Sequence, residues 1–175
     1  MNKKIKELET KRLYLKLPSL DYLNDFYKYA KNPIIGKMAG WQPHKTKLET
    51  MFVINNMIQT NDYIWFIILK DINKMIGTIS LTKKMFNKYE VELGYSINFD
   101  YWNNGYGYES TREVIKFCFK VLKVKKIKLL FYKDNIRSIN LAKKLGCINF
   151  YEEKNKKNKK VVISTFLLEK DYYGE

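Results

Sequence analysis

The feature that most constrains this chain is a glycine-containing turn between a strand pattern and a helix pattern. Residues 101–109 read YWNNGYGYE. Upstream, apolar and polar residues alternate over residues 91–97, as is typical of a half-buried strand. Downstream, apolar residues recur at helical spacing from Val114 to Leu122. The glycines are therefore expected at the N-terminus of a helix that follows directly on a strand.

Such a turn carries the donors that an anionic ligand requires. Gly105 and Gly107 have no Cβ to hold a ligand away, and the first N–H groups of a helix have no acceptor within the helix. Together with the positive end of the helix dipole, these groups suit a pyrophosphate. The same residues also fit an ordinary strand-to-helix turn that needs glycine only for its geometry, because short glycine patterns are common.

The composition predicts one globular domain over residues 1–175. The chain has 175 residues, of which 46% are hydrophobic, so it is long enough to bury a substantial core. No apolar run approaches the roughly 20 residues of a membrane span. Residues 1–7 lack the apolar segment of a signal peptide. We therefore expect a cytoplasmic protein that does not bind a membrane.

The charge balance is strongly basic. The chain has 33 Lys and Arg residues and 18 Asp and Glu residues, which gives a formal net charge of +15. Such an excess can indicate nucleic acid, anionic lipid or a phosphorylated ligand as partner. Here it is spread along the chain and accompanies no recognised nucleic-acid motif, so nucleic-acid binding is disfavoured. The basic run over residues 152–160 is interpreted as a solvated hairpin tip.

The scarcity of histidine and cysteine limits the chemistry. His44 is the only histidine, which excludes Ser-His-Asp and Cys-His schemes unless His44 serves them. Cys118 and Cys147 are the only cysteines and are predicted to be core thiols. No metal site is expected.

Patterning along the chain predicts an ordered series of elements. A strand over residues 12–17 is followed by a helix from Ser19 to Ala30, which Asn32–Pro33 is expected to close. A loop through Gly36, Gly40 and Pro43 then leads to a helix introduced by Thr46. The remaining predicted elements are strands 63–69, 75–83 and 89–98, the glycine turn with its helix, strand 126–132, a helix from Asn135 to Leu145, and closing strands around 150–151 and 161–168.

This order of elements, with four local signatures, resembles the GNAT superfamily of acetyl-CoA-dependent N-acetyltransferases over nearly the whole chain. Within it, the chain resembles the branch typified by ribosomal-protein N-terminal acetyltransferases. The signatures are ETKRL at 9–13, ELGY at 92–95, WNNGYG at 102–107, and NIRS at 135–138 followed by KLG at 144–146. The resemblance implies a mixed α/β (α+β) fold, with a mostly antiparallel central sheet of about seven strands flanked by about four helices.

The resemblance also implies an activity. The expected reaction moves an acetyl group from acetyl-CoA to a primary amine by direct attack, and the acceptor is a protein N-terminus, an amino acid or a small-molecule amine. A polyamine or aminoglycoside acetyltransferase is an alternative, as is a non-catalytic acyl-CoA-binding or ribosome-associated module. Ala142 occupies the position where many members carry a tyrosine general acid, which keeps the last alternative open. A homodimer is also left open.

Two residues are the candidates for catalysis. An amine that is mostly ammonium at neutral pH must lose a proton before it attacks, so a carboxylate base is expected, and Glu92 is the first choice. Glu90 lies on the same face of the strand, and an ion-paired structural role is the alternative for both. With Ala142 unable to donate, Ser138 becomes the candidate for protonating or hydrogen-bonding the thiolate, and the alternative is a helix-end serine.

By resemblance, the strand over residues 95–97 carries a bulge and splays from the strand over residues 127–132, which frees backbone groups for the pantetheine arm. Asn135 is either an N-cap or a further pantetheine contact. The residues expected to bind the coenzyme are Tyr95, Ser96, Ile97, Trp102, Asn103, Asn104, Gly105, Tyr106, Gly107, Tyr108, Asn135 and Ser138.

Overall fold

Strands and helices follow one another in groups and do not strictly alternate along the chain. The structure, a computed structural model, describes residues 5–60, 62–83, 89–155 and 160–174. The strands are β1 Leu8–Glu9, β2 Leu13–Lys16, β3 Tyr63–Leu69, β4 Lys74–Lys83, β5 Glu90–Ile97, β6 Lys126–Tyr132, β7 Ile148–Lys154 and β8 Val161–Leu168. The helices are α1 Leu23–Ala30, α2 Pro33–Ala39, α3 Lys47–Gln59, α4 Tyr106–Lys120, α5 Ile136–Lys144 and α6 Glu169–Tyr173.

The strands form one sheet in the order β1-β2-β3-β4-β5-β6-β8-β7. β5 and β6 are parallel, whereas β1–β2, β2–β3, β6–β8 and β7–β8 are antiparallel. The predicted mixed α/β fold with a mostly antiparallel sheet is therefore confirmed. The elements beyond the predicted set are short, namely β1, α2 and α6. Within the described ranges, no helix is long and apolar enough to cross a membrane.

One predicted loop is wrong, because α2 occupies most of it. Asn32–Pro33, expected to close the preceding helix, begins a new one. The Asn32 side chain accepts a hydrogen bond from the Ile34 N–H at 2.9 Å, and Pro33 lies in the first turn, where its missing N–H costs nothing. Gly40 ends α2 in the left-handed conformation at φ 85°.

The chain forms two compact units. The first comprises residues 1–80 and 95–113. Its core contains buried residues of α1, α2 and α3 packed with residues of β3 and β4. The buried members are Phe26, Tyr29, Ala30, Ile35, Ile54, Phe66, Ile68 and Met75. β3 is buried over nearly its whole length, which explains why its sequence, YIWFIIL, is continuously apolar instead of alternating.

The second unit comprises residues 81–94 and 114–175. The first half of β5 pairs in parallel with β6, from Glu90 opposite Lys126 to Leu93 opposite Leu129. β8 lies antiparallel to β6 along its whole length. Residues 156–159 of the predicted hairpin tip lie outside the described ranges, and the expectation of one domain stays a prediction.

Both cysteines are buried and unoxidised, as predicted. Cys118 lies on α4, and Cys147 precedes β7. Burial raises the pKa of each thiol to about 12, so both stay protonated near neutral pH. They therefore serve packing and not nucleophilic chemistry.

Gly77 allows two backbone segments of the first unit to approach closely. A Cβ on Gly77 would lie 2.2 Å from the Ser96 carbonyl oxygen and 3.1 Å from the Ile97 Cα. The Asn98 N–H donates to the Ile76 carbonyl oxygen at 2.7 Å, which fixes the same approach just beyond β5. Any larger residue at position 77 must therefore displace the end of β5.

We expect Gly77→Ala to lower the free energy of unfolding by about 1–3 kcal/mol, because overpacking against backbone atoms forces the strands to shift. Urea denaturation monitored by circular dichroism measures this change. Thr82→Ala, at an exposed position of β4, serves as the control and should cost less. A change below about 0.5 kcal/mol for Gly77→Ala would show that β5 yields easily at this point.

Candidate active site

The glycine turn is fastened to the end of β5. The Trp102 indole N–H donates to the Ile97 carbonyl oxygen at 2.8 Å. The ring centres of Phe99 and Trp102 lie 4.9 Å apart. A short 3₁₀ turn, Phe99–Tyr101, links the strand to the tryptophan. An aromatic residue at position 102 thus has a clear local role, because its polar N–H satisfies a strand-end carbonyl.

The conformation of the turn requires glycine at one position. Gly105 has φ 79° and Asn103 has φ 63°, both in the left-handed region. α4 begins at Tyr106, and the Glu109 N–H donates to the Gly105 carbonyl oxygen at 3.0 Å. Gly107 lies within the first turn of α4, so its role is absence of bulk and not an unusual φ. The predicted placement of the glycines at a helix N-terminus is confirmed.

The Glu109 carboxylate connects the first turn of α4 to the start of β2. It accepts hydrogen bonds from the Thr10 hydroxyl at 2.6 Å, the Arg12 N–H at 2.9 Å and the Arg12 Nε at 2.7 Å. The guanidinium carbon of Arg12 lies 4.4 Å from the centre of the Tyr106 ring. One carboxylate and one aromatic ring thus hold the Arg12 side chain beside the glycine turn.

These contacts set the ionisation of Glu109. Burial on its own raises the pKa of the carboxyl, but the hydrogen bonds from Thr10 and Arg12 and the positive charge of the guanidinium outweigh it. The pKa of Glu109 therefore lies below its ordinary value, and the group is a carboxylate at neutral pH.

Sequence reasoning missed this connection. Arg12 lies within the ETKRL signature, and Glu109 ends the YWNNGYGYE segment, but 97 residues separate them. The available signals were an acidic residue in the first turn of a helix and a cation in a strand. Neither signal indicates which of the 33 basic residues is the partner.

A buried hydroxyl group lies next to the second half of β5. The Tyr29 hydroxyl is within 3.1 Å of the Thr78 Oγ1 and also hydrogen-bonds the Ser96 side chain. Burial raises the pKa of Tyr29 to about 12, so it remains a neutral phenol. Tyr29 therefore positions Ser96 and does not exchange protons at neutral pH.

The second unit carries the predicted base. Glu92 is half-buried on β5 and lies in register with Lys128 of β6. Lys128 Nζ donates to Glu153 at 2.8 Å, and Lys126 forms an ion pair with Glu90 at 3.7 Å. The ion-paired alternative thus describes Glu90, and Glu92 remains the candidate base.

Of the two alternatives for Asn135, the helix cap is present in the structure. The Asn135 Oδ1 accepts a hydrogen bond from the Ser138 N–H at 3.2 Å. Ser138 is only 9% exposed and Ala142 is fully buried. The backbone of Ser138 takes part in the cap, so its hydroxyl is not required for that purpose.

The predicted residues thus divide between the two units. Residues 95–108 belong to the first unit, and Glu92, Asn135 and Ser138 belong to the second. Across the part of the chain that the structure describes, no three His, Cys, Asp or Glu side chains are grouped so as to hold a metal ion.

Comparison with known proteins adds a family match. Residues 12–148 match the family model described as "Acetyltransferase (GNAT) domain". The curated protein YoaA of Bacillus subtilis, an uncharacterized N-acetyltransferase, is 30% identical over 82 residues, and the match covers 47% of this chain and 46% of YoaA. The chain thus spans about half the length of that relative. Protein p20 of Bacillus licheniformis, also an uncharacterized N-acetyltransferase, is 25% identical over 95% of this chain and 98% of its own length.

Solved structures share the fold at low identity. A GNAT-family acetyltransferase of Bacillus anthracis has a TM-score of 0.83 and 19% identity, covering 94% of this chain and 99% of its own. Ribosomal-protein-S5-alanine acetyltransferase of Vibrio fischeri has a TM-score of 0.72 and 17% identity, covering 95% of this chain and 98% of its own. Spermidine N-acetyltransferase of Vibrio cholerae, in complex with CoA and spermine, has a TM-score of 0.78 and 17% identity, covering 94% of this chain and 99% of its own.

Glu109→Gln is expected to lower the free energy of unfolding at pH 7 by about 1.5–3 kcal/mol, because hydrogen bonds to a charged group are lost. The folded-state pKa of Glu109 is depressed, so its contribution is complete above the ordinary carboxyl pKa of 4.5 and is lost as the pH falls through the folded-state pKa. The difference between wild type and variant should therefore shrink in acid. Denaturant titrations between pH 3 and 7 measure it.

Glu9→Gln is the matched control, because Glu9 forms an ion pair with Lys70 while its side chain is 64% exposed. An exposed pair of this kind contributes about 0–1 kcal/mol. Equal losses in the two variants, or a Glu109→Gln difference independent of pH, would contradict the assignment.

Proposed function

Because the chain belongs to the acetyltransferase (GNAT) domain family, we propose that it transfers an acetyl group from acetyl-CoA to a primary amine by direct attack. The observation that carries this proposal is the turn from β5 into α4, with Gly105 at φ 79° and the N-terminus of α4 directly after it. Acetyl-CoA is the acetyl donor of the family. Neither cysteine offers a nucleophile for a covalent intermediate, since both are buried protonated thiols, and this favours direct attack.

The turn provides the chemistry that a pyrophosphate requires. Asn103, Asn104 and Gly105 are exposed, so a ligand can reach the backbone there. The first N–H groups of α4 precede its regular hydrogen-bond series and carry the positive end of the dipole. Trp102 holds the turn against β5 through its indole N–H. These features support residues 102–108 as the phosphate-binding segment.

The second half of β5 is the proposed place for the pantetheine arm and the thioester. An extended arm can pair with strand backbone, and an N–H there can polarise the thioester carbonyl. Residues 95–97 are suited to this because Gly77 and the Tyr29 hydroxyl hold them in place. Preorganisation matters because a donor that need not reorient stabilises developing charge best.

The proposed chemistry needs one base and one donor. Glu92 accepts a proton from the ammonium acceptor, directly or through water, and the neutral nitrogen attacks the thioester carbonyl carbon. The carbon–nitrogen bond forms and the carbon–sulfur bond breaks, so coenzyme A leaves as a thiolate. Ser138 donates a hydrogen bond to that sulfur, or protonates it and is reprotonated by the proton that the nitrogen loses as the amide forms. Asn135 adds a contact to the pantetheine arm.

The acceptor is proposed only as a class: a protein N-terminus, an amino acid or a small-molecule amine. The S5-alanine and spermidine acetyltransferases share the fold although their names assign them different amines, so the fold selects no acceptor. A polyamine or aminoglycoside is the alternative within the same chemistry. A non-catalytic coenzyme-binding module is the alternative outside it, favoured by Ala142, which has no proton to donate.

The activity is tested by measuring free coenzyme A released from acetyl-CoA with a panel of short peptides, amino acids, polyamines and aminoglycosides. Calorimetric titration of acetyl-CoA into the same sample measures binding. Binding together with turnover on one acceptor class supports the proposed reaction and identifies that class. Binding without turnover would support the non-catalytic module, and no binding would contradict the assignment of the glycine turn.

Glu92→Gln should lower kcat/KM by about 10²–10⁴-fold, because the variant retains the shape of the side chain but cannot accept the proton. The affinity for acetyl-CoA should change little. Glu90→Gln is the control on the same face of β5, and we expect it to retain most activity because Glu90 is paired with Lys126. Unchanged turnover in Glu92→Gln would show that another group is the base.

Ser138→Ala isolates the role of the hydroxyl, because the N–H that donates to Asn135 is retained and the helix cap should survive. We expect kcat to fall at least about tenfold, because a donor to the departing thiolate is lost, while the retained helix cap keeps thermal stability close to wild type. Steady-state kinetics and thermal melting check both. A parallel loss of stability and activity would indicate the helix-end role instead.

A further inference from the structure

The side chain of Arg12 is held beside the glycine turn by contacts that fix its orientation. Its Nε donates to Glu109 at 2.7 Å, and its guanidinium carbon lies 4.4 Å from the centre of the Tyr106 ring. Its backbone is fixed as well, because the Arg12 N–H donates to Glu109 and the Arg12 carbonyl oxygen accepts from the Lys70 N–H at 3.0 Å. The cation therefore loses little freedom when a ligand binds to it.

One terminal nitrogen of the guanidinium lies next to the turn. Arg12 Nη2 lies 3.5 Å from the position that a Cβ on Gly105 would occupy. The hydrogen bond to Glu109 uses Nε, whereas the nitrogen next to the turn is Nη2. The Arg12 side chain is 41% exposed, whereas the Glu109 side chain is 18% exposed. A ligand at the turn can thus reach the arginine but has far less access to the carboxylate.

We propose that Arg12 is a coenzyme-binding residue, with its guanidinium donating to the pyrophosphate of coenzyme A at the Gly105 turn. This inference rests on the proposed function. Backbone N–H groups of a helix N-terminus supply only partial charge, whereas a guanidinium supplies a full charge and donors spaced for phosphate oxygens. Glu109 and Tyr106 are positioning residues for Arg12. The proposed pyrophosphate site therefore includes the residue directly before β2 as well as the turn itself.

A structural role is the competing explanation, because the Arg12–Glu109 contact also joins β2 to α4. The two roles predict different effects on coenzyme affinity when a second substitution at Glu109 is added to an Arg12 variant. Arg12→Met leaves the Glu109 carboxylate without its cationic partner, which destabilises the protein for reasons unrelated to the coenzyme. In Arg12→Met/Glu109→Gln the uncompensated charge is removed, and the amide oxygen at position 109 can still accept from Thr10 and from the N–H of residue 12.

The experiment is calorimetric titration of the full chain with coenzyme A and with 3′-dephospho-coenzyme A at one ionic strength, with thermal melting of every variant. Arg12→Met and the double variant should both bind about 10- to 100-fold more weakly than wild type, as expected for a lost charge-assisted hydrogen bond. The loss should be the same for both ligands, because the pyrophosphate is common to them. Arg12→Lys should retain part of the affinity.

Arg112→Met is the matched control. Arg112 is an exposed arginine on α4, the helix that carries Glu109, and its loss changes the net charge equally. We expect its affinity to stay within about threefold of wild type, because an exposed and screened charge contributes little. Comparable losses in Arg112→Met and Arg12→Met would overturn the inference in favour of a general charge effect.

The remaining outcomes separate the inference from the function on which it rests. Tight binding by wild type with equal affinity in Arg12→Met would overturn the role of Arg12 and leave the acetyltransferase proposal standing. Affinity that recovers with thermal stability in the double variant would assign Arg12 a structural role only. A loss seen with coenzyme A but not with 3′-dephospho-coenzyme A would overturn the pyrophosphate contact. Failure of wild type to bind either ligand would overturn both proposals.

Discussion

The carboxylate of Glu109 is the interaction on which the arrangement of the glycine turn depends. It accepts three hydrogen bonds from residues 10–12 while its own N–H begins the regular bonding of α4 at Gly105. A shielded carboxylate that lost these donors would be left with an uncompensated charge, so the first turn of α4 and the start of β2 are held in one geometry. The backbone N–H groups proposed to bind phosphate belong to that same helical turn.

Two glycines act on the site in different ways. Gly105 is required for its backbone conformation, because its positive φ lies in the region that residues with a Cβ adopt only at a cost. Gly77 is required for space, because the Ser96 carbonyl oxygen occupies the volume that a Cβ would fill. The first glycine shapes the turn that follows β5, and the second sets the position of residues 96–97 within β5. A substitution at either position would therefore change the site through the backbone.

Charge is organised locally despite the large basic excess. In the second unit, Lys126 pairs with Glu90 and Lys128 pairs with Glu153, so lysines of β6 are matched by nearby carboxylates. Glu92 lies on this same face of β5, in register with Lys128. The net charge of the chain therefore says little about the field at the proposed base. Local pairing matters more, because screening limits exposed charges to about 8 Å at physiological ionic strength.

The sequence by itself determined the elements whose signals are local. The alternation over residues 91–97, the apolar run at 63–69, the glycines before α4 and the Asn135 cap each depend on neighbours a few residues away, and the structure places each of them as expected. Asn32–Pro33 shows the limit of such signals, because the pair fits both a helix end and a helix start. Only the tertiary structure decided which partners meet over long separations, including Arg12 with Glu109, Tyr29 with Ser96 and Gly77 with the end of β5. Such pairs are selected by the packing of the core, and a periodic pattern along one segment carries no information about which distant segment will lie against it.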